Sequence, residues 1–211
     1  KELLVYNKIN YGGKVKIYFF RSGLGTYMPI NNEISFIMES FSLKNNYYQL
    51  NKKGFLVDIF YDYQKQINNL SSFKTSNSLL YVLASIFANK NNLNDSLILN
   101  EDNSIIESTN SNIFVVLNDA IITPHLKSGC IEGVMRNEII NIINILNFKF
   151  IERDILEEDL INSKEIFLTN VVNGITWIGG YQNSRFYNIF SKKIIKELNN
   201  KISCLLDSVE N

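Results

Sequence analysis

Apolar residues come in short runs along the chain, and the spacing within each run predicts the secondary structure that it forms. In the first third the runs are continuous or alternate in steps of two, which is typical of strands buried on one or both faces. Polar or glycine-containing stretches separate them, among them Gly12-Gly13 and Lys44-Asn45-Asn46. The runs therefore predict three strands, at residues 15–20, 34–41 and 54–61.

The spacing changes after Asn77, where apolar residues recur every three or four positions and predict helices. The first helix begins near Leu79 and ends in the polar stretch Asn89-Lys90-Asn91-Asn92. Three further helices are predicted at about residues 134–146, 157–161 and 191–206. Strand-like runs lie between the helices, at residues 96–100, 112–117, 120–123, 148–152 and 165–168.

This order of elements predicts an α/β chain with mixed α+β organisation and two domains. The polar break at Lys44-Asn45-Asn46 is the predicted boundary, with a small N-terminal domain in residues 1–46 and a large domain in residues 47–211. The chain opens at Lys1 without a methionine, in what looks like the end of a helix. We therefore expect the small domain to be incomplete in this chain.

Composition narrows the classes of function. The 21 basic and 21 acidic residues balance, so there is no basic excess of the kind that binds nucleic acid. The apolar runs are too short and too interrupted to predict a signal peptide or a membrane span. Two distant cysteines and one histidine predict neither a disulfide framework nor a metal site, and they suit a reduced, cytoplasmic interior.

Four segments, in a fixed order, carry the most specific information. They are Phe73-Lys74-Thr75-Ser76-Asn77, Ile106–Phe114 (Ile-Glu-Ser-Thr-Asn-Ser-Asn-Ile-Phe), Gly129–Arg136 (Gly-Cys-Ile-Glu-Gly-Val-Met-Arg) and Phe167–Ile175 (Phe-Leu-Thr-Asn-Val-Val-Asn-Gly-Ile). Together they resemble the class IV aminotransferases, which are fold-type IV pyridoxal-phosphate (PLP) enzymes. The family includes branched-chain aminotransferases, D-amino-acid aminotransferases and aminodeoxychorismate lyases. The resemblance covers about Gly12 to Ile178 and implies the two-domain fold of D-amino-acid aminotransferase-like enzymes, with a large PLP-binding domain and the cofactor in the cleft between the domains.

By this resemblance, Lys74 is the catalytic residue that holds PLP as a Schiff base. A lysine in a polar stretch is ordinarily solvated, whereas this chemistry needs an amine that is nucleophilic near neutral pH. Glu107, expected in a strand-to-loop segment, is implied to pair with the pyridine nitrogen. A carboxylate there keeps the nitrogen protonated, so that the ring can accept electrons.

The resemblance also implies the residues that bind the phosphate and the ring of PLP. Gly133 opens a predicted helix, and the free N–H groups at such a helix start suit a dianionic phosphate. The implied cofactor-binding residues are Gly133, Val134 and Met135 at the helix start, Asn170 and Val171 in a second loop, Ile131 against a ring face, and Asn110 at the cofactor edge. An ordinary helix start at Gly133 and an ordinary turn at Asn170 remain alternatives. Arg136 is expected to be structural or to lie in an interface.

The first functional hypothesis is a PLP-dependent aminotransferase that moves an amino group between an amino acid and a 2-oxo acid. The second is an aminodeoxychorismate lyase, which releases pyruvate and 4-aminobenzoate. The third is a PLP-binding protein without catalytic activity. The expected partners are a small amino-acid or amino-chorismate substrate and a second copy of the chain in a homodimer, with neither nucleic acid nor a membrane.

Overall fold

The computed structural model describes residues 1–209 of the chain. The chain divides into two compact units, one comprising Lys1–Tyr47 and the other beginning at Tyr48. The first unit contains a short helix and one antiparallel hairpin, and the second contains all the other elements.

The first unit is built around two paired strands. Its elements are α1 (Glu2–Tyr6), β1 (Gly13–Arg21) and β2 (Ile34–Ser42). The strands β1 and β2 pair antiparallel along their whole length, from Gly13 opposite Ser42 to Arg21 opposite Ile34. Both strands were predicted from the sequence, and the structure confirms them. Many of their large apolar side chains are exposed in this unit.

The second unit alternates strands and helices. Its strands are β3 (Phe55–Lys65), β4 (Asp95–Asn100), β5 (Ile105–Ser108), β6 (Asn112–Leu117), β7 (Ala120–Thr123), β8 (Lys149–Glu152), β9 (Glu165–Asn170), β10 (Gly174–Tyr181) and β11 (Ser184–Arg185). Its helices are α2 (Leu79–Lys90), α3 (Val134–Ile145), α4 (Glu157–Asn162) and α5 (Ile189–Val209), with a short 3-10 turn at Leu126–Ser128. The four helices lie where the apolar periodicity predicts them.

Six of these strands close into a ring. Strand β10 pairs with β3, which pairs with β4, and the pairing continues through β5 and β6. Strand β9 then pairs with both β6 and β10, which completes the circle. A sheet closed in this way has an inside and an outside, and successive side chains along each strand point alternately to the two faces.

The hydrophobic core follows this alternation. Leu97, Ile113 and Leu168 belong to a cluster formed by one face of the ring. Their neighbours along the same strands belong to two other clusters, one with α3 and α5 and one with α2. Leu97 and Ile113 are fully buried. One face of the ring thus packs mainly on itself, with Leu160 of α4 in the same cluster, and α2, α3 and α5 cover parts of the other face.

Two strands of the ring were not predicted. Glu107 was expected in a strand-to-loop segment, but the structure places it inside β5. Strand β10 was also missed, because Gly174, Gly179 and Gly180 interrupt its strand-forming residues and resemble turn positions. Strand β3 extends four residues beyond its predicted end at Tyr61, through a polar and aromatic stretch that ends at Lys65.

No helix within residues 1–209 combines the length and the apolar character needed to cross a bilayer.

Candidate active site

Glu107 is a carboxylate buried at the outer face of the ring. The residue is 2% exposed, and both of its oxygens accept hydrogen bonds from protein groups. Its Oε1 accepts from Lys65 Nζ and from the hydroxyl of Tyr81, each at 2.7 Å. Its Oε2 accepts from the backbone N–H of Ile131 at 2.9 Å. Three separate segments therefore converge on this one side chain.

An irregularity in strand β3 brings Lys65 to Glu107. Phe60 lies opposite Ile98 on β4, and Lys65 lies opposite Asn100. The chain advances five residues on β3 while it advances two on β4, so three additional residues interrupt the regular pairing. Regular alternation would put Lys65 on the opposite face from Phe60, since the two are an odd number of residues apart. The interruption restores Lys65 to the face that carries Glu107.

A polar row crosses the sheet next to Glu107. Glu107 lies opposite Asn112 on β6, and Asn112 lies opposite Thr169 on β9. The Asn112 amide donates to the carbonyl of Ile131 at 2.7 Å, so the backbone of Ile131 is held through both its N–H and its C=O. The Thr169 hydroxyl is buried without a hydrogen-bond partner among the described residues. Such a group marks a position where a polar ligand can be accommodated.

Helix α3 begins beside this row. Gly133 is its N-cap residue, and no side chain caps the helix start. The first N–H groups of a helix have no partner within it, so those of Val134 and Met135 depend on partners from outside the helix. A Cβ atom at Gly133 would clash with Oδ1 of Asn112, which explains the glycine by close packing. Val134 is 75% exposed and Met135 is buried.

The predicted second loop lies at the end of β9 and is joined to Asn110. The Asn170 amide donates to Ser111 Oγ at 2.8 Å and to Asn110 Oδ1 at 3.2 Å. Its Oδ1 accepts from the backbone N–H groups of Val172 and Asn173, at 3.0 and 2.8 Å. Because both ends of the Asn170 side chain are used in this way, the side chain orders the turn. Val171 follows it in the turn with its side chain 57% exposed.

Lys74 lies in an exposed segment that leads into α2. Its side chain is exposed and makes no hydrogen bond or ion pair to any of the residues described. The segment is fixed two residues earlier, where the carbonyl of Ser72 accepts from the N–H of Glu132 at 2.9 Å. This hydrogen bond holds the chain segment before Lys74 against residues Ile131–Gly133.

Burial and charge shift the pKa values of two of the ionisable groups near Glu107, Tyr81 and Cys130. Burial raises the pKa of Tyr81 far above its ordinary value, and the negative charge of Glu107 raises it further, so Tyr81 is a neutral donor at physiological pH. Burial also raises the pKa of Cys130, which precedes Ile131, to about 11. The thiol is therefore a neutral, packed side chain.

Sequence reasoning missed several residues of the site: Lys65, Tyr81, Asn112 and Thr169. Tyr81 lies on a predicted helix, but nothing in its position along the chain indicated a contact with Glu107. Lys65 gave no signal either, because its placement depends on the irregularity in β3. Arg136 was expected to be structural or to lie in an interface. It is buried, donates to the carbonyl of Pro124 at 2.9 Å and pairs with Glu152.

The family model described as "Amino-transferase class IV" matches residues 1–179 of the chain. The branched-chain-amino-acid aminotransferase-like protein 2 of Arabidopsis thaliana is 31% identical over 110 residues, which are 52% of this chain and 20% of that protein. The aminodeoxychorismate lyase of Vibrio harveyi is 27% identical over 111 residues, which are 53% of this chain and 41% of that protein. The matched stretches thus cover less than half of either relative.

Solved structures share the fold. A putative 4-amino-4-deoxychorismate lyase from Legionella pneumophila superposes with a TM-score of 0.80 at 22% identity, covering 94% of this chain and 73% of that one. The branched-chain aminotransferase from Thermobaculum terrenum, solved in its PLP form, superposes with a TM-score of 0.83 at 18% identity. That match covers 95% of this chain and 67% of that one. At these identities the likeness concerns the fold alone.

Proposed function

Since the chain belongs to the class IV aminotransferases, we propose that it is a PLP-dependent aminotransferase in which Lys74 is the catalytic lysine. The observation that carries the proposal is the buried carboxylate of Glu107, placed beside an uncapped helix start. A buried carboxylate and free helix N–H groups are the two features that a pyridinium phosphate ester requires at its opposite ends.

The residues present fit PLP. The N–H groups of Val134 and Met135 would hold the phosphate, and Gly133, which precedes them, has no side chain that could compete for this position. The loop ordered by Asn170 would supply further N–H groups near Val171, and Asn110 would border the cofactor.

Each functional side chain has a separate task in this proposal. When bound, PLP supplies an aldehyde and an electron-accepting ring, which together weaken the bonds at the α-carbon of an amino acid. Glu107 would keep a proton on the ring nitrogen. Lys74 would bond to the aldehyde and, once released by the substrate, would accept and return the α-proton. The exposed position of Lys74 leaves its amine accessible.

The covalent role of Lys74 is testable directly. The purified protein is incubated with PLP, reduced with borohydride and mapped by peptide mass spectrometry. In the wild type we expect the reduced label on Lys74 and visible absorbance from the bound cofactor. In Lys74→Ala we expect both to be lost. Lys90→Ala, which changes an exposed lysine at the end of α2, is the matched control and should retain both. A label on Lys65 instead would contradict the assignment.

A lyase is the second candidate, and its support is the match to the lyase of Vibrio harveyi together with Met135 at the helix start. By resemblance, many aminotransferases have threonine at that position and some lyases resemble this chain. The two activities differ in their products. An amino acid supplied alone should convert the bound cofactor to pyridoxamine phosphate if the protein is an aminotransferase, whereas pyruvate formed from aminodeoxychorismate would favour the lyase. Cofactor bound without either reaction would favour the non-catalytic alternative.

A further inference from the structure

The carboxylate of Glu107 has four acceptor positions, two on each oxygen, and the protein fills three of them. Lys65 and Tyr81 occupy both positions on Oε1, and the N–H of Ile131 occupies one on Oε2. One position, on Oε2, remains. We propose that Lys65 and Tyr81 are positioning residues that direct Glu107 to a ligand through this single position, and that the charge of Lys65 limits how firmly it holds a protonated ring nitrogen.

Because Lys65 and Glu107 are both largely buried, solvent screens their charges only weakly. The side chains of Lys65 and Glu107 are 13% and 3% exposed, and the ion pair measures 2.7 Å. Among the ion pairs in the described part of the chain, this one has the lowest combined exposure of its two side chains. Charges screened so little by solvent act strongly on a third charge beside them.

The pair is neutral as a whole, and this determines its effect on a ligand. A protonated ring nitrogen at Oε2 adds a positive charge next to a carboxylate that Lys65 already balances. Without Lys65, the whole negative charge of Glu107 would face the nitrogen, and the nitrogen would keep its proton to a higher pH. Lys65 therefore sets how readily the ring nitrogen gives up its proton.

Tyr81 has the same geometric task without the charge. Its hydroxyl is a neutral donor to the same oxygen as Lys65. Removal of this hydroxyl frees a second acceptor position but leaves the charge balance unchanged. The two residues can thus be separated by experiment, since only Lys65 acts through charge.

Lys65 also has a structural contact that any test must separate from its electrostatic effect. Its Nζ donates to the carbonyl of Ser71 at 2.9 Å, in the segment that leads to Lys74. Lys65→Gln keeps a donor for this carbonyl and removes the charge. Lys65→Met removes both, and Lys65→Arg keeps the charge.

The test rests on the proposed function and uses PLP labelled with nitrogen-15 in the ring. The chemical shift of the label, followed against pH in the protein with bound PLP, reports protonation of the ring nitrogen. We expect the midpoint to rise by about 1–3 pH units in Lys65→Gln and Lys65→Met, as for removal of a neighbouring like charge. Lys65→Arg and Tyr81→Phe should stay close to the wild-type midpoint.

The outcomes separate this inference from the function beneath it. If the Lys65 variants bind the labelled PLP but its ring nitrogen titrates with an unchanged midpoint, the role of Lys65 is overturned and the PLP assignment stands. A rise in Tyr81→Phe equal to that in Lys65→Gln also overturns it, because hydrogen bonding and not charge would then be responsible. Failure of the wild-type protein to bind PLP overturns both proposals. If Lys65→Met does not fold, Lys65→Gln decides the question.

Discussion

At the scale of single residues, Glu107 can be buried because donors from three parts of the chain satisfy its oxygens. Burial of an isolated carboxylate in this position would cost desolvation free energy. The hydrogen bonds from the ammonium of Lys65 and the hydroxyl of Tyr81 offset that cost. The hydrogen bonds also fix the direction in which the carboxylate faces. Its chemistry is therefore a property of the cluster and not of the glutamate alone.

Packing leaves no room for a side chain at Gly133. Its backbone has φ −74° and ψ 131°, which alanine adopts readily, so a substitution there acts through the side chain alone. A Cβ atom would displace Asn112, whose amide is bound to the carbonyl of Ile131. We expect Gly133→Ala to lower the free energy of unfolding by about 1–3 kcal/mol in denaturant titrations.

A double-mutant cycle checks the cause. Asn112→Ala removes the atom that the new Cβ would strike, so the double variant should lose less stability than the sum of the two single losses. Additive losses would show that the contact between Gly133 and Asn112 is not responsible.

At the scale of elements, α4 is stabilised at its N-terminus by an acidic side chain with two tasks. Asp159 accepts two hydrogen bonds from Arg153, each at 2.7 Å, and accepts from the N–H of Leu156 at 2.9 Å. The hydrogen bond from Leu156 pairs one of the free N–H groups at the helix start. The hydrogen bonds from Arg153 lower the pKa of Asp159 below its ordinary value of 3.8, and the bond from Leu156 lowers it further.

The sign of the pH effect follows from that lowered pKa. The folded state favours the charged form, so the stabilisation is complete above the ordinary pKa of aspartate and is lost as the pH falls through the lower folded value. We expect Asp159→Asn to lower the free energy of unfolding near neutral pH by about 1 kcal/mol, and to match the wild type in strong acid. Thermal unfolding measured across pH tests this prediction.

Glu158→Gln is the control for Asp159→Asn, since it removes an equal charge from an exposed position in the same turn. A loss in Asp159→Asn that persists unchanged in strong acid would contradict the assignment.

At the scale of the whole molecule, closure of the ring joins parts of the chain that are far apart in sequence. Strand β9 lies between β6 and β10, and so brings the loop at Asn170 next to Asn110, 60 positions earlier. Strand β3 likewise brings Lys65 to Glu107, 42 positions later. The candidate site therefore depends on the completed sheet and not on any one segment.

The expected homodimer remains a prediction at this scale. Many large apolar side chains of β1 and β2 are exposed, such as Phe19 at 69% and Phe36 at 57%. Apolar patches of this kind are usually covered by other protein surfaces. Sedimentation equilibrium should give twice the mass of one chain, and a single-chain mass across the concentration range would contradict the dimer. Phe19→Lys should weaken association if this surface takes part.

Local patterns in the sequence predict the helices, most of the strands and the four segments that resemble the family. Those features are local, since apolar periodicity and short motifs are set by neighbouring residues. The tertiary structure alone decided that Glu107 lies within a strand, that Lys65 and Tyr81 share its oxygen, and that Asn112 packs against Gly133. Strand pairing sets these contacts, and a three-residue interruption in β3 reverses the face on which Lys65 lies. Periodicity within one strand carries no information about such a shift, because the shift exists only relative to the partner strand.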